Sequence, residues 1–162
     1  MMQIEDTALA SNVAAESGVE TTTRPALKRA LVPVADASHA EQVAELARRA
    51  GVSEARVLHL NLRESIGGRR FPLETDSSAS GIAESAALEL RMAGIAASGE
   101  VREAIIDRAA EAIIAEATEW DADLIVLGPP RRRELATRLF GSVTLRVLQH
   151  APCPVLVTST DR

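Results

Sequence analysis

The chain has 162 residues, 46% of them hydrophobic and 2% aromatic, with a formal charge of −5 at pH 7. That length carries one domain with a real core, while so few aromatics and no broad basic surface argue against base stacking and general nucleic-acid binding. No apolar run approaches the roughly 20 residues of a membrane span, and the opening "MMQIEDTALASNVAAESGVETTT" lacks the basic-then-apolar order of a signal peptide, so a soluble, cytoplasmic protein with no membrane partner is expected.

Residues 1–26 are rich in Ala, Ser, Thr and Glu with weak periodicity and read as a flexible tail. Glu5, Asp6, Glu16 and Glu20 precede the first basic residue, Arg24, so most of the negative charge lies here. A single domain is expected over 27–160. "RALVPV" (Arg29–Val34) predicts a buried strand, although Pro33 cannot donate to a central ladder. Ser38 with Glu41 three places on predicts a capping box, followed by a helix with Val43, Leu46, Ala47 and Ala50 on one face and Gly51 as its stop. "ARVLHLNL" (Ala55–Leu62) predicts the second strand, and "RESIGGRRFPLETDSSAS" a polar loop. "GIAESAALELRMAG" predicts the second helix. "ASGEVREA" predicts a third strand, polar enough for a sheet edge. In "DRAAEAIIAEATEWD" the residues Ile113, Ala117 and Trp120 share one helical face. "DLIVLG" predicts the fourth strand, "SVTLRVLQH" a fourth helix with Val143 and Val147 stacked, and "PVLVTS" the fifth strand.

Strands alternating with helices imply a parallel sheet covered on both faces. In such sheets a ligand lies outside the carboxyl ends of the strands, at the switch point of strand order. Three stretches meet there: Ala35–Ser38, Gly128–Arg133 and Gly141–Thr144. Gly141 leaves room for an anion to approach the backbone, Ser142 offers a hydroxyl, and the helix start favours negative charge. Arg131, Arg132, Arg133 and Arg138 add forked donors suited to phosphate. Each feature has a plain structural reading too: Gly-Ser as a helix cap, the arginines as a solvated loop, Asp36 as a turn former. The single Cys153 excludes an intrachain disulfide and reads as a packed small residue. His39, His59 and His150 are scattered, so no metal is expected. No paired carboxylates and no Ser/His/Asp order at strand ends point to an enzyme.

Gly128, with Gly141-Ser142 following at the spacing of a Gly-x2-Gly-x9-Gly-Ser/Thr pattern, resembles the universal stress protein family, as do "LVPVADAS", "DADLIVLG" and "LQHAPCPVLV". The resemblance spans about Leu27 to Ser159. It implies an α/β domain with a single doubly wound, parallel, five-stranded sheet of order 3-2-1-4-5 and helices on both faces. It also implies a homodimer through the last strand and binding of ATP or AMP, with magnesium as an optional companion of ATP. The site residues expected are Asp36, Gly128, Arg131, Gly141, Ser142, Val143 and Thr144, with Val34 and Leu60, chosen from strand-edge position alone, beside the adenine. The chain departs from the pattern at two places. Ala35 stands directly after the first strand where an acid is usual, with Asp36 one place later. Arg131 replaces the second glycine, behind Pro129 and Pro130, which offer no N–H.

The expected function is therefore a small stress-response protein, a dimeric nucleotide-binding switch without rapid turnover, acting on a protein partner the sequence does not name. A nucleotide-free dimeric interaction module of the same fold is the alternative. A nucleotidyl-transfer enzyme is disfavoured by the missing Gly-rich loop and His motif after the first strand.

Overall fold

The computed structural model describes residues 27–128 and 141–158. The expected N-terminal tail, Arg131 and the neighbouring prolines and arginines lie outside the described residues. The elements run in the order β1 (Arg29–Val34), α1 (Ala40–Arg49), β2 (Glu54–Ile66), β3 (Arg69–Pro72), α2 (Asp76–Met92), β4 (Ala96–Ile105), a 3-10 turn (Ile106–Arg108), α3 (Ala109–Glu119), β5 (Leu124–Leu127), α4 (Ser142–His150) and β6 (Val155–Val157).

The class is the expected one: a mostly parallel sheet with helices on both faces. β1 pairs in parallel with β2 and β5, β2 with β4, and β5 with β6. Among the described residues the sheet has six strands rather than five, however. The extra one is β3, antiparallel to the far end of β2 in register Arg63↔Pro72 to Ile66↔Arg69. The segment expected to be a polar loop is a hairpin. Its turn is Gly67-Gly68, both at positive φ, and Ile66, Phe71 and Leu73 on it are exposed. Exposure gives its residues no apolar/polar alternation to read, which is why pattern alone missed it.

Alternation along the strands sorts the core into two layers. Ala30 and Val32 of β1, Ala55 and Val57 of β2, and Leu124 and Val126 of β5 face α1 and α2. Leu31, Leu58 and Ile125 face Ile113, Ala117 and Trp120 of α3 and Val147 of α4. The helices bury mostly alanine: Ala40, Ala44 and Ala47 in α1, and Ala79, Ala83, Ala86 and Ala87 in α2. Small contact residues let helix backbones lie close to the sheet. At Gly99 of β4 a Cβ would stand 2.9 Å from the backbone carbon of Ala83 in α2.

Several boundaries differ from expectation. The capping box does not form: α1 starts at Ala40 with His39 as an N-cap that makes no side-chain bond, because Ser38 turns back to Asp36. α2 starts five residues before Gly81, where Thr75 accepts from the Ser78 N–H. Val143 does not stack beneath Val147; it is exposed while Val147 is fully buried. Gly51 does end α1, at φ +84, a conformation that L side chains rarely adopt.

Candidate functional site

The site begins with a parting of strands. β1 and β5 pair only at Ala30↔Leu124 and Leu31↔Ile125. Yet β1 runs on beside β2 to Val34↔His59, and β5 runs on beside β6 to Leu127↔Val157. Past Leu31 the two central strands are no longer paired, and the crevice of a doubly wound sheet opens between their carboxyl ends. Pro33 lies in this unpaired part of the β1–β5 edge, which is how a central strand accommodates it.

The start of α4 shares this end of the sheet. Gly141 is its N-cap, with φ −66 and ψ 162, values open to any residue, so what the glycine contributes is space. Gly141 has no side chain with which to cap the helix, and the first turn of α4 holds no acid. The opening N–H groups of a helix lack intrahelical acceptors and suit an anion. Ser142 and Val143 are exposed and Thr144 half-buried. Gly128, half-buried after β5, faces α1: a Cβ there would stand 4.0 Å from Val43 Cγ2.

The structure divides the two expected base contacts. Val34 packs against the α1–α2 layer and Leu60 against the α3 layer. They lie on opposite faces of the sheet, so one ligand meets both only across the strand ends. Asp36 is exposed, and its Oδ1 accepts from the Ser38 N–H at 2.9 Å and from the Ser38 hydroxyl. That is an Asx turn, which gives the carboxylate a local role in the bend after β1.

Three polar residues at this end escaped the sequence reading. His59 and Asn61 are buried in β2, and Glu74 follows β3. His59 bridges the Val34 carbonyl, 3.0 Å from Nδ1, and Glu74 Oε1, 2.6 Å from Nε2. Asn61 donates to Asp76 Oδ1 at 2.9 Å. The His59 hydrogen bond, then that of Ser78, holds the Glu74 carboxyl below its usual range against the opposing effect of burial. The signal was present in "LHLNL", where two polar residues alternate with leucines near a strand end. Among the described residues no three His, Cys, Asp or Glu side chains gather to hold a metal ion. No helix among them is long and apolar enough to cross a membrane.

The family model described as "Universal stress protein family" matches residues 26–159. The chain belongs to the universal stress protein family. Among solved structures it is similar to the universal stress protein from Archaeoglobus fulgidus, at 27% identity and TM-score 0.55 over 80% of this chain and 92% of that one. The Archaeoglobus fulgidus protein solved in complex with dAMP is 28% identical with TM-score 0.55, over 82% of this chain and 98% of the other. A universal stress protein family member from Burkholderia pseudomallei, 24% identical, shares the fold at TM-score 0.61 over 85% of this chain and 99% of its own. No match was found among curated proteins.

Proposed function

We propose that this universal stress protein binds an adenine nucleotide, ATP or AMP, in the crevice between β1 and β5 and works as a dimeric regulatory switch in the cytoplasm, not as an enzyme. The observation that carries the reading is the parting of β1 from β5 on the same sheet end as the N-terminus of α4, whose N-cap is a glycine. The phosphate chain then takes the N–H groups of Ser142, Val143 and Thr144, and the base lies toward Val34. The relative in complex with dAMP supports the ligand class. Magnesium would accompany ATP through its phosphates rather than through a protein cage. The twofold contact is assigned to β6, a sheet-end strand whose one partner among the described residues is β5, with the exposed Leu145 and Leu148 of α4 nearby in sequence.

The test is calorimetric titration of nucleotide-stripped full chain with AMP and with ATP, with and without magnesium. Saturable binding of about one ligand per chain is expected, with sedimentation reporting a dimer. In Gly141→Val the fold should persist, since those dihedrals suit valine, while affinity drops at least about tenfold through loss of space at the backbone. No heat at millimolar nucleotide would favour the second reading, a nucleotide-free interaction module. The specific observation on that side is the Asp36 carboxylate, occupied by Ser38.

A further inference from the structure

His59 is 3% exposed and has an acceptor at each end of its ring. The Val34 carbonyl can only accept, so Nδ1 carries a proton. Nε2 then faces the Glu74 carboxyl at 2.6 Å. A neutral imidazole would point a lone pair at a carboxylate lone pair across that distance. The contact therefore exists only while the pair holds one further proton.

The ladder pairings place this contact at the crevice. Arg63 of β2 pairs with Ile105 of β4 and with Pro72 of β3 at once, so β3 lies on the side of β2 away from β4. That is the side β1 occupies as far as Val34↔His59. β3 thus continues the lane of β1 beyond Val34. Glu74, two residues past β3, hooks back to His59, and its other oxygen accepts from the Ser78 hydroxyl at 3.1 Å. β3 and the start of α2 form the β2-side wall of the crevice, and His59 ties that wall to the last carbonyl of β1.

We propose that the His59–Glu74 contact is a proton-dependent latch on this wall, coupling its order, and through it the affinity of the crevice for an adenine ligand, to pH. The ligand half of the proposal rests on the nucleotide reading; the latch does not. A wall held in place needs no ordering when a ligand arrives, so the latched state binds more tightly.

The surrounding charges leave Glu74 to this histidine. From α2 the nearest acid is Asp76, held by Asn61. From the end of β1 comes Asp36, bonded to Ser38. The start of α1 offers His39 and Glu41, both exposed. Farther along β2 and β4, Arg63 pairs with Glu103. Among the described residues the one cationic partner of Glu74 is His59. The contact between Nε2 and Oε1 holds one shared proton, and loss of that proton opens the latch.

Glu74→Gln separates the proton from the bridge, because an amide N–H donates to a neutral Nε2. The experiment follows three signals in the full chain between about pH 5 and pH 8, the span in which histidine side chains change charge. These are the ring nitrogens of ¹⁵N-labelled histidine, amide exchange over residues 69–78 corrected for its intrinsic rate, and affinity for adenosine, which has no group titrating in that span. In the wild type the His59 ring should be doubly protonated at the acid end. Exchange over 69–78 should rise, and adenosine affinity fall, by about tenfold toward the alkaline end. In Glu74→Gln the ring should stay neutral with Nδ1 protonated, and both profiles should be flat. An unprotonated Nε2 in the wild type at the acid end, or a flat wild-type exchange profile, overturns the latch. Absent adenosine binding at every pH with the exchange profile as expected overturns the nucleotide reading and upholds the latch.

Discussion

At Gly99 the absence of a side chain is the structural element. A methyl there would stand 2.9 Å from the Ala83 carbon and 3.0 Å from its oxygen, both backbone atoms that cannot swing aside. Gly99→Ala should therefore destabilise the fold by about 1–3 kcal/mol, read as a lower urea midpoint. Nucleotide affinity should be unchanged, because Gly99 faces α2 rather than the crevice. Cys153 makes the opposite case, a residue whose chemistry is muted by its place. Burial, with a smaller contribution from the Asp123 carboxylate, pushes its thiol above the ordinary value of 9.0. Alkylation by iodoacetamide at neutral pH should be slower than that of free cysteine, and should approach it only on denaturation. Asp36 shows how one residue position decides a role. Directly after β1 an acid would stand in the slot that Ala35 fills; one place later it closes a turn with Ser38.

Elements are joined to the sheet by different chemistry on the two faces. α1 and α2 lie on a nearly all-apolar layer. α3 adds an ionic tie. Glu116, with its side chain 2% exposed, accepts from Arg56 Nη1 at 2.7 Å and forms an ion pair with Arg102, whose Nε lies 2.9 Å from Oε2, bridging β2 and β4. The Arg29 and Arg56 guanidinium groups lie over Trp120, 4.5 Å and 4.9 Å from its centroid. Glu116→Ala removes the shared carboxylate from beneath two arginines and should cost about 3 kcal/mol in denaturant unfolding, the penalty of breaking a buried pair from one side. Glu116→Gln, which keeps the shape and part of the hydrogen bonding, should cost less. The hairpin of β2 and β3 is the element that changes the reading of the site, because it sets a wall beside the end of β1.

For the molecule as a whole, the two ends of the sheet have separate tasks. At the amino end Asp123 accepts from the Lys28 and Arg29 N–H groups, and Arg29 pairs with Glu54, so the strands are pinned together. At the carboxyl end β1 and β5 part. One contribution to the pH dependence of stability sits at this end. Glu74 is held below its ordinary 4.5, so on the acid side its contribution is lost as pH falls from that value through the lowered one. Relative to Glu74→Ala, the wild type should be more stable near pH 6 and should lose that advantage as pH falls below 4.5, as followed by urea midpoints across the range.

The sequence by itself determined the alternation of strands and helices, the span of α4, the stop at Gly51 and the edge position of β4. Each rests on local periodicity or a conformational limit of one residue, which the chain carries wherever it folds. It also carried the family, through the Gly128 and Gly141-Ser142 spacing. Only the tertiary structure decided that Val34 and Leu60 face opposite layers, that β3 fills the lane beyond β1, and that His59 meets Glu74 fifteen residues away. Those facts depend on register between strands and on where a hairpin folds back. A side chain's partners across a sheet leave no mark in its own neighbourhood of the sequence.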